Sequence, residues 1–303
     1  MSSVLTIASR IKGSVGKTAW DVVRRKRLAS YLKSDRRPWR EGYHEYREKC
    51  LSEAVNDDSL LDTLAANRPL PNGYGYRLDA RIIEIPWVLS RVRQSNGGRF
   101  LDAGSALNYD FVLASPSLKD KQTTIVTLAP EGQAFWQLGV SYVFGDLRDL
   151  DFRDERFDAV ACISTIEHIG MDNTMYAENL EIAQRSDPSE FSLAVKELKR
   201  VLKPGASLLI SFPFGRYENH GWFQQFDSDL VDTLVAAFAP SRHQESIFQY
   251  HPDGWQRSTR DNCKTCEFFD VHTSKYSDPA STIEYPEDYP AGERGLACLE
   301  LIK

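Results

Sequence analysis

The feature that most constrains this chain is the alternation of short apolar runs with helical stretches from Tyr74 onward. The runs "RFLDAG", "TTIVTLAP", "VSYVFGD", "RFDAVACIS" and "SLLISFPFG" read as five strands. Between them lie helical stretches after Asn108, at Pro130 to Leu138, and in "SEFSLAVKELKRVLK", which Pro204 and Gly205 should stop. "RIIEIPWVLSRVRQS" reads as a helix before the first strand, provided Pro86 falls in its first turn; Gly97 and Gly98 end it. An alternating pattern of this kind folds most economically as a mostly parallel sheet with helices on both faces. After the fifth strand come "DSDLVDTLVAAFA", a helix with Asp227 or Ser228 as its cap, then "HQESIFQY", an irregular polar insert at about 252–294, and "GLACLELIK". A last strand that arrives without a crossover helix should pair antiparallel with its neighbour.

The stretch before Tyr74 differs in character. Through residue 40 there are eleven Lys and Arg against Asp21 and Asp35, a net +9, so with a formal net charge of -6 the rest of the chain carries -15. Within this arm "GSVGKT" lacks the first glycine of a phosphate-binding loop, Ile11 standing in its place, and no strand precedes it. Val4, Ala8, Ile11, Val15, Ala19 and Val22 recur at helical spacing instead. The arm reads as a basic amphipathic helix, with Trp20 and "RRKR" at Arg24 to Arg27, suited either to packing on its own domain or to an anionic membrane surface. We expect a basic helical extension over 1–73 and one catalytic-sized domain over 74–303.

Five scattered cysteines do not make a disulfide framework, and no apolar run approaches membrane-spanning length, so the expected location is the cytoplasm. The pair Cys263 and Cys266 is half of a zinc site at most, with His251, His272 or Cys298 as further ligands. The acidic body argues against a nucleic-acid partner.

The turn after the first strand narrows the reading. In "FLDAGSALN" a dinucleotide-binding G-x-G-x-x-G would place Tyr109 at the third glycine, where close helix packing needs no side chain. The D/E-x-G-x-G turn that receives S-adenosylmethionine fits better: Asp102 and Gly104 are kept, and Ala106 replaces the second glycine with one added methyl. In order, "LDAG", "YVFGDL", "FDAVACISTIEHIG" and "ELKRVLKPGASLLISFPFG" closely resemble the successive motifs of class I S-adenosylmethionine-dependent methyltransferases, over about residues 80–303. That resemblance implies a Rossmann-like α/β sheet, mostly parallel with an antiparallel last strand. "GYGYRLDARIIEIPWVLSR", "LDAGSALN", "TLAPE" and "STIEHIGMDN" further resemble methyltransferase-domain proteins of bacterial surface-polysaccharide gene clusters.

The resemblance implies roles by position. Gly104, with Ser105 and Ala106, lies where the backbone passes the amino-acid end of the cofactor, and Asp102 orients that turn. Asp146 matches the carboxylate that accepts from the adenine amine, with Leu147 flanking the ring. Thr127 or Glu131 stands where an acid bonds the ribose hydroxyls. Ser164, Thr165, Glu167 and His168 follow the fourth strand at the carboxyl edge of the sheet, where open α/β folds bind ligands. His168 has an intrinsic pKa suited to a general base, Glu167 can orient it, and His220 in the aromatic, amide-rich loop "FGRYENHGWFQQFD" is a second candidate. Some quinone-type O-methyltransferases hold a metal with E-x-x-E-H here; Ser164 replaces the first Glu, so no metal is expected. "STIE" replaces the N/D-P-P-Y/F turn of base-amine methyltransferases, and there is no Pro-Cys nucleophile.

The resulting expectation is methylation of a hydroxyl on a sugar or glycan intermediate, with S-adenosylmethionine as cofactor. The alternatives are a small phenolic or lipid-like acceptor, or a non-catalytic cofactor-binding or membrane-peripheral scaffold.

Overall fold

The structure is a computed structural model that describes residues 21–94, 98–177, 180–184, 186–271 and 284–303. The expected amphipathic helix of the first 20 residues, with Ile11, Lys17 and Trp20, lies outside them, as do Gly97 and His272. Helices α1 (residues 21–33), α2 (Tyr43–Ala54), α3 (Asp58–Ala65) and α4 (Arg81–Val92) precede the first strand. There follow β1 (Arg99–Ala103), the one-turn α5 (Asp110–Leu113), β2 (Gln122–Thr127), β3 (Ser141–Phe144), β4 (Phe157–Ile163), α6 (Phe191–Val201) and β5 (Leu202–Pro213). A small hairpin of β6 (Glu218–Asn219) and β7 (Gln224–Gln225) leads to α7 (Ser228–Phe238), β8 (Arg242–His251), β9 (Gly254–Ser258), the one-turn α8 (Arg260–Cys263) and β10 (Gly295–Ile302).

Eight strands form one sheet in the order β3-β2-β1-β4-β5-β10-β8-β9. The order reverses between β1 and β4, so a crevice opens above their carboxyl ends, the place where doubly wound sheets bind ligands. β10 is antiparallel to both β5 and β8, with Leu299 opposite Ile210 on one side and Glu245 on the other. This is the expected α/β, Rossmann-like sheet, mostly parallel with antiparallel strands toward one edge.

Each central strand is buried on both faces, which explains why the strands read as continuous apolar runs. Phe100, Ala161, Ile163, Leu209 and Cys298 join a core with α2, α3 and α4, whereas Leu101, Val160, Cys162, Leu208 and Ile210 join a core with α6 and α7. Phe191, Ala194, Val195, Leu198 and Val201 place one buried stripe on α6. Asp227 caps α7 by accepting from the Leu230 N–H. Among the described residues no helix is long and apolar enough to cross a membrane.

Several expectations are corrected. Pro86 lies inside α4 rather than in its first turn. It has no N–H for the Ile82 carbonyl, and the Tyr74 hydroxyl donates to that oxygen instead, at 2.5 Å. The stretch from Pro130 to Leu138 forms only a 3-10 turn at Trp136–Leu138, because the Phe135 N–H donates to the Tyr142 hydroxyl and not to a preceding carbonyl. α6 ends at Val201, before Pro204 and Gly205, because Leu202 is already extended and paired with Phe157. The stretch after His251 is not irregular at its start: β9 returns antiparallel along β8, and Trp255 is buried with its indole N–H on the Leu78 carbonyl.

The described part of the basic arm is held against the body. Arg24 pairs with Glu48 and Arg27 with Glu45, both on α2, and Arg27 also with Glu41 just before it.

Candidate active site

Above the carboxyl ends of β1, β2 and β4 lies a cavity of about 340 Å³. Gly104, Thr127, Glu131, Leu147, Ser164 and His168 all line it, together with Arg81, which the sequence did not single out. A second cavity of about 210 Å³ opens beside it, and the two share Arg81, Ser164, His168 and Tyr176.

The turn after β1 is fixed from below. Asp102 is fully buried, and its Oδ2 accepts from the Leu107 N–H at 2.9 Å. Burial pushes its pKa up to about 7, against the Leu107 N–H, while Glu131 adds to the rise. Gly104 has φ 116°, and a Cβ there would lie 2.0 Å from Thr165 Oγ1. Thr165 cannot simply turn away, since that hydroxyl donates to the Ile163 carbonyl. Gly104 is thus required by its backbone angle and by the close approach of the β4 loop. Ser105 follows at φ 65°, and Ala106 is buried in the core against α4. Asp102 Oδ1 and Ser105 Oγ are buried without a hydrogen-bond partner among the described residues.

Glu131 is held at the cavity by the Asn108 side-chain amide, at 3.0 Å, and Asn108 in turn accepts from Tyr142. Asp146 behaves differently. Its carboxylate accepts from the Arg148 backbone N–H and from two guanidinium nitrogens of the same residue. Gly145 and Leu147, on either side of it, line the cavity.

Glu167 and His168 sit in a single 3-10 turn, Ile166–His168, directly after β4. His168 Nδ1 lies 2.9 Å from the Trp222 carbonyl, which can only accept, so the proton is on Nδ1 and Nε2 carries a lone pair. Burial lowers the imidazole to about 4, opposed by that hydrogen bond and aided by Arg81. Glu167 lines only the second cavity of the two; burial pushes its carboxyl well above the usual range, and Glu84 adds to this. His220 is stacked on Phe223 and belongs to a different cavity, with Asp172 and Trp222, so the structure does not bring it to the shared wall.

Arg81 and Glu84 stand one turn apart on α4, a helix otherwise almost wholly apolar. Glu84 is fully buried and accepts from Arg81, from Ser164 at 2.6 Å and from Ser211 at 2.7 Å. Burial alone would lower Arg81; Glu84 reverses the effect and keeps the guanidinium charged. Two charged residues at i and i+3 on an apolar helix were the available signal for this pair. From α2, Arg47 donates to Asp79 at 2.6 Å, so the N-terminal helical region supplies a wall of the second cavity.

Cys263 and Cys266 are buried in the core, and among the described residues no group of three or more His, Cys, Asp or Glu side chains is placed to hold a metal.

Residues 114–210, from the end of α5 into β5, match the family described as the methyltransferase domain. Over these residues, about a third of its length, the chain is similar to that domain. No curated protein matches it. Of the solved structures, the YcgJ protein of Bacillus subtilis is 14% identical, aligned over 73% of this chain and 97% of its own, with a TM-score of 0.42. A possible histamine N-methyltransferase of Thermotoga maritima is 14% identical over 84% of this chain and 99% of its own, TM-score 0.42. The 1,6-didemethyltoxoflavin-N1-methyltransferase of Burkholderia thailandensis is 15% identical over 86% and 90%, TM-score 0.42. The matched residues include Glu131, Leu147, Ser164 and His168; Gly104 and Arg81 precede them.

Proposed function

We propose that the chain is an S-adenosylmethionine-dependent methyltransferase that methylates a hydroxyl of a sugar or glycan intermediate. The observation that carries this reading is the pair of cavities meeting at Arg81, Ser164, His168 and Tyr176. A two-substrate transfer needs one chamber for each reactant and a shared wall where they touch.

The larger chamber suits the cofactor. Its residues fit: two partnerless buried oxygens under the turn, a glycine that no other residue can replace, and a carboxylate held at the end of β2. Glu131 would hold the ribose hydroxyls, Leu147 the adenine, and Gly104 with Ser105 the amino-acid end. When bound, S-adenosylmethionine supplies an electrophilic methyl on a sulfonium. His168 Nε2, neutral and unprotonated at physiological pH, receives the proton of the acceptor hydroxyl. Arg81, held by Glu84, keeps a fixed positive charge at the shared wall. Five free cysteines suit a cytoplasmic location. Exposed Val22, Val23 and Leu32 on α1, beside Arg25 and Lys26, favour peripheral contact with a membrane as a secondary property.

Calorimetric binding of S-adenosylhomocysteine tests the reading. Glu131→Ala should weaken it at least tenfold, about 1.4 kcal/mol, whereas Asp146→Ala, whose carboxylate is already taken by Arg148, should change it less than threefold. Unchanged affinity in Glu131→Ala would overturn the pose, and no binding to a folded wild type would overturn the cofactor.

A further inference from the structure

We infer that the second cavity binds a cationic amine on the acceptor, so that the substrate is an amine-bearing molecule such as an amino sugar rather than a neutral polyol. The inference rests on the assignment of the first cavity to the cofactor, and it follows from how the charges around the second one are partnered.

Two guanidinium groups reach this cavity, and each is committed. Arg47 is bonded to Asp79, and Arg81 to Glu84. Two further carboxyl groups line the same space with no Lys or Arg in ion-pair contact among the described residues; Arg81 acts on both only from a distance. Glu293 accepts from backbone N–H groups, that of Ala80 at 3.1 Å and its own. Glu167 has a side chain 2% exposed, and its Oε2 has no hydrogen-bond partner among the described residues; its Oε1 comes no nearer than 4.0 Å to His168 Nε2.

A buried carboxylate with an empty acceptor position has lost its water without a replacement, a deficit of about 1–3 kcal/mol or more. A ligand N–H removes that deficit, and a positive charge does so for both carboxylates at once. The aromatic lining points the same way: Trp39, Trp222, Phe223 and Phe268 all line the cavity, and aromatic rings attract a desolvated cation. A neutral sugar would satisfy the rings but give the two carboxyl groups no charge to ionise against. Burial pushes Glu293 up to about 7, with Asp79 and Glu84 adding to the rise, so an arriving ammonium finds groups that can ionise in answer to it. The positive Arg81 at the wall shared with the first cavity keeps the ammonium on the Glu167 and Glu293 side, away from the reacting atom.

The experiment is calorimetric titration of the full chain, saturated with S-adenosylhomocysteine, with glucosamine, choline and ethanolamine. N-acetylglucosamine, glucose and 3,3-dimethylbutanol serve as neutral counterparts. At least one ammonium probe should bind, at least tenfold more tightly than its neutral counterpart. Glu167→Gln should remove most of that preference while S-adenosylhomocysteine still binds, which shows that the variant is folded. Should Glu167→Gln fail to fold, Glu293→Gln reads the same preference. Binding by no ammonium probe, equal binding of the neutral counterparts, or an unchanged preference in the folded variant would each overturn the inference. Failure of S-adenosylhomocysteine itself to bind would instead overturn the cofactor assignment.

Discussion

The imidazole Nδ1 of His168 lies 2.9 Å from the carbonyl oxygen of Trp222, a contact that turns the other ring nitrogen into a fixed acceptor. The loop carrying Trp222 therefore sets the tautomer of a residue 54 positions earlier.

Removal of that acceptor should separate chemistry from binding. His168→Gln is expected to lower kcat by about 10²–10⁴ with S-adenosylhomocysteine affinity changed less than threefold. The pH dependence has a definite sign. In the unfolded chain this imidazole takes a proton below about 6.5, whereas burial holds the folded one neutral down to about 4. Above 6.5 both are neutral and the group contributes nothing; as pH falls from 6.5 to 4 the unfolded state gains protons the folded state does not, and stability is lost. Relative to His168→Gln, the wild type should lose up to about 3 kcal/mol across that window. Urea unfolding of both proteins at pH 7.5, 6 and 4.5 checks this; a constant difference would refute it.

Gly104→Ala should be severely destabilising, by about 3 kcal/mol or more, since its methyl group meets Thr165 and its φ is 116°. Thr165→Gly in the same chain should recover part of the loss, leaving the backbone strain of about 1 kcal/mol. Equilibrium denaturation of the single and double variants measures the coupling, and strict additivity would contradict the contact.

Tyr74 and Pro86 form a pair that a double-mutant cycle can read. Tyr74→Phe leaves the Ile82 carbonyl without its donor and is expected to cost about 1–3 kcal/mol. With Pro86→Ala in place, a main-chain N–H can reach that carbonyl, and the same Tyr74→Phe change should cost distinctly less. Equal costs in both backgrounds would show that the hydroxyl is not what satisfies the freed carbonyl.

The sheet was legible because each central strand is buried on both faces and writes itself as an apolar run, and because Gly and Asp mark the ends of β1 and β3. The turn residues Asp102 and Gly104 and the post-β4 pair Glu167 and His168 were legible by their spacing from those strands. What could not be read was pairing across long separations. Arg148 engaging Asp146 leaves no trace in the motif "GDL", and the i, i+3 pair Arg81 and Glu84, though visible on an apolar helix, does not name Ser164 and Ser211 as its partners. Pro130 misled for a similar reason: the donor that helix formation needed was drawn off by Tyr142. His220 carried the right chemistry, but its ring stacks on Phe223.

Glu84 ties the site to the order in which the chain assembles. Its partners Ser164 and Ser211 are 80 and 127 residues further along. Until β5 has docked, the Glu84 carboxylate lacks Ser211 and leans on its helix neighbour Arg81, so neither side chain has its final direction. A partly folded chain with α1 to α4 and the first strands in place would thus have a sheet but no reaction chamber. Ligand affinity in refolding experiments should appear with the last cooperative step, and not with the burst of secondary structure that precedes it.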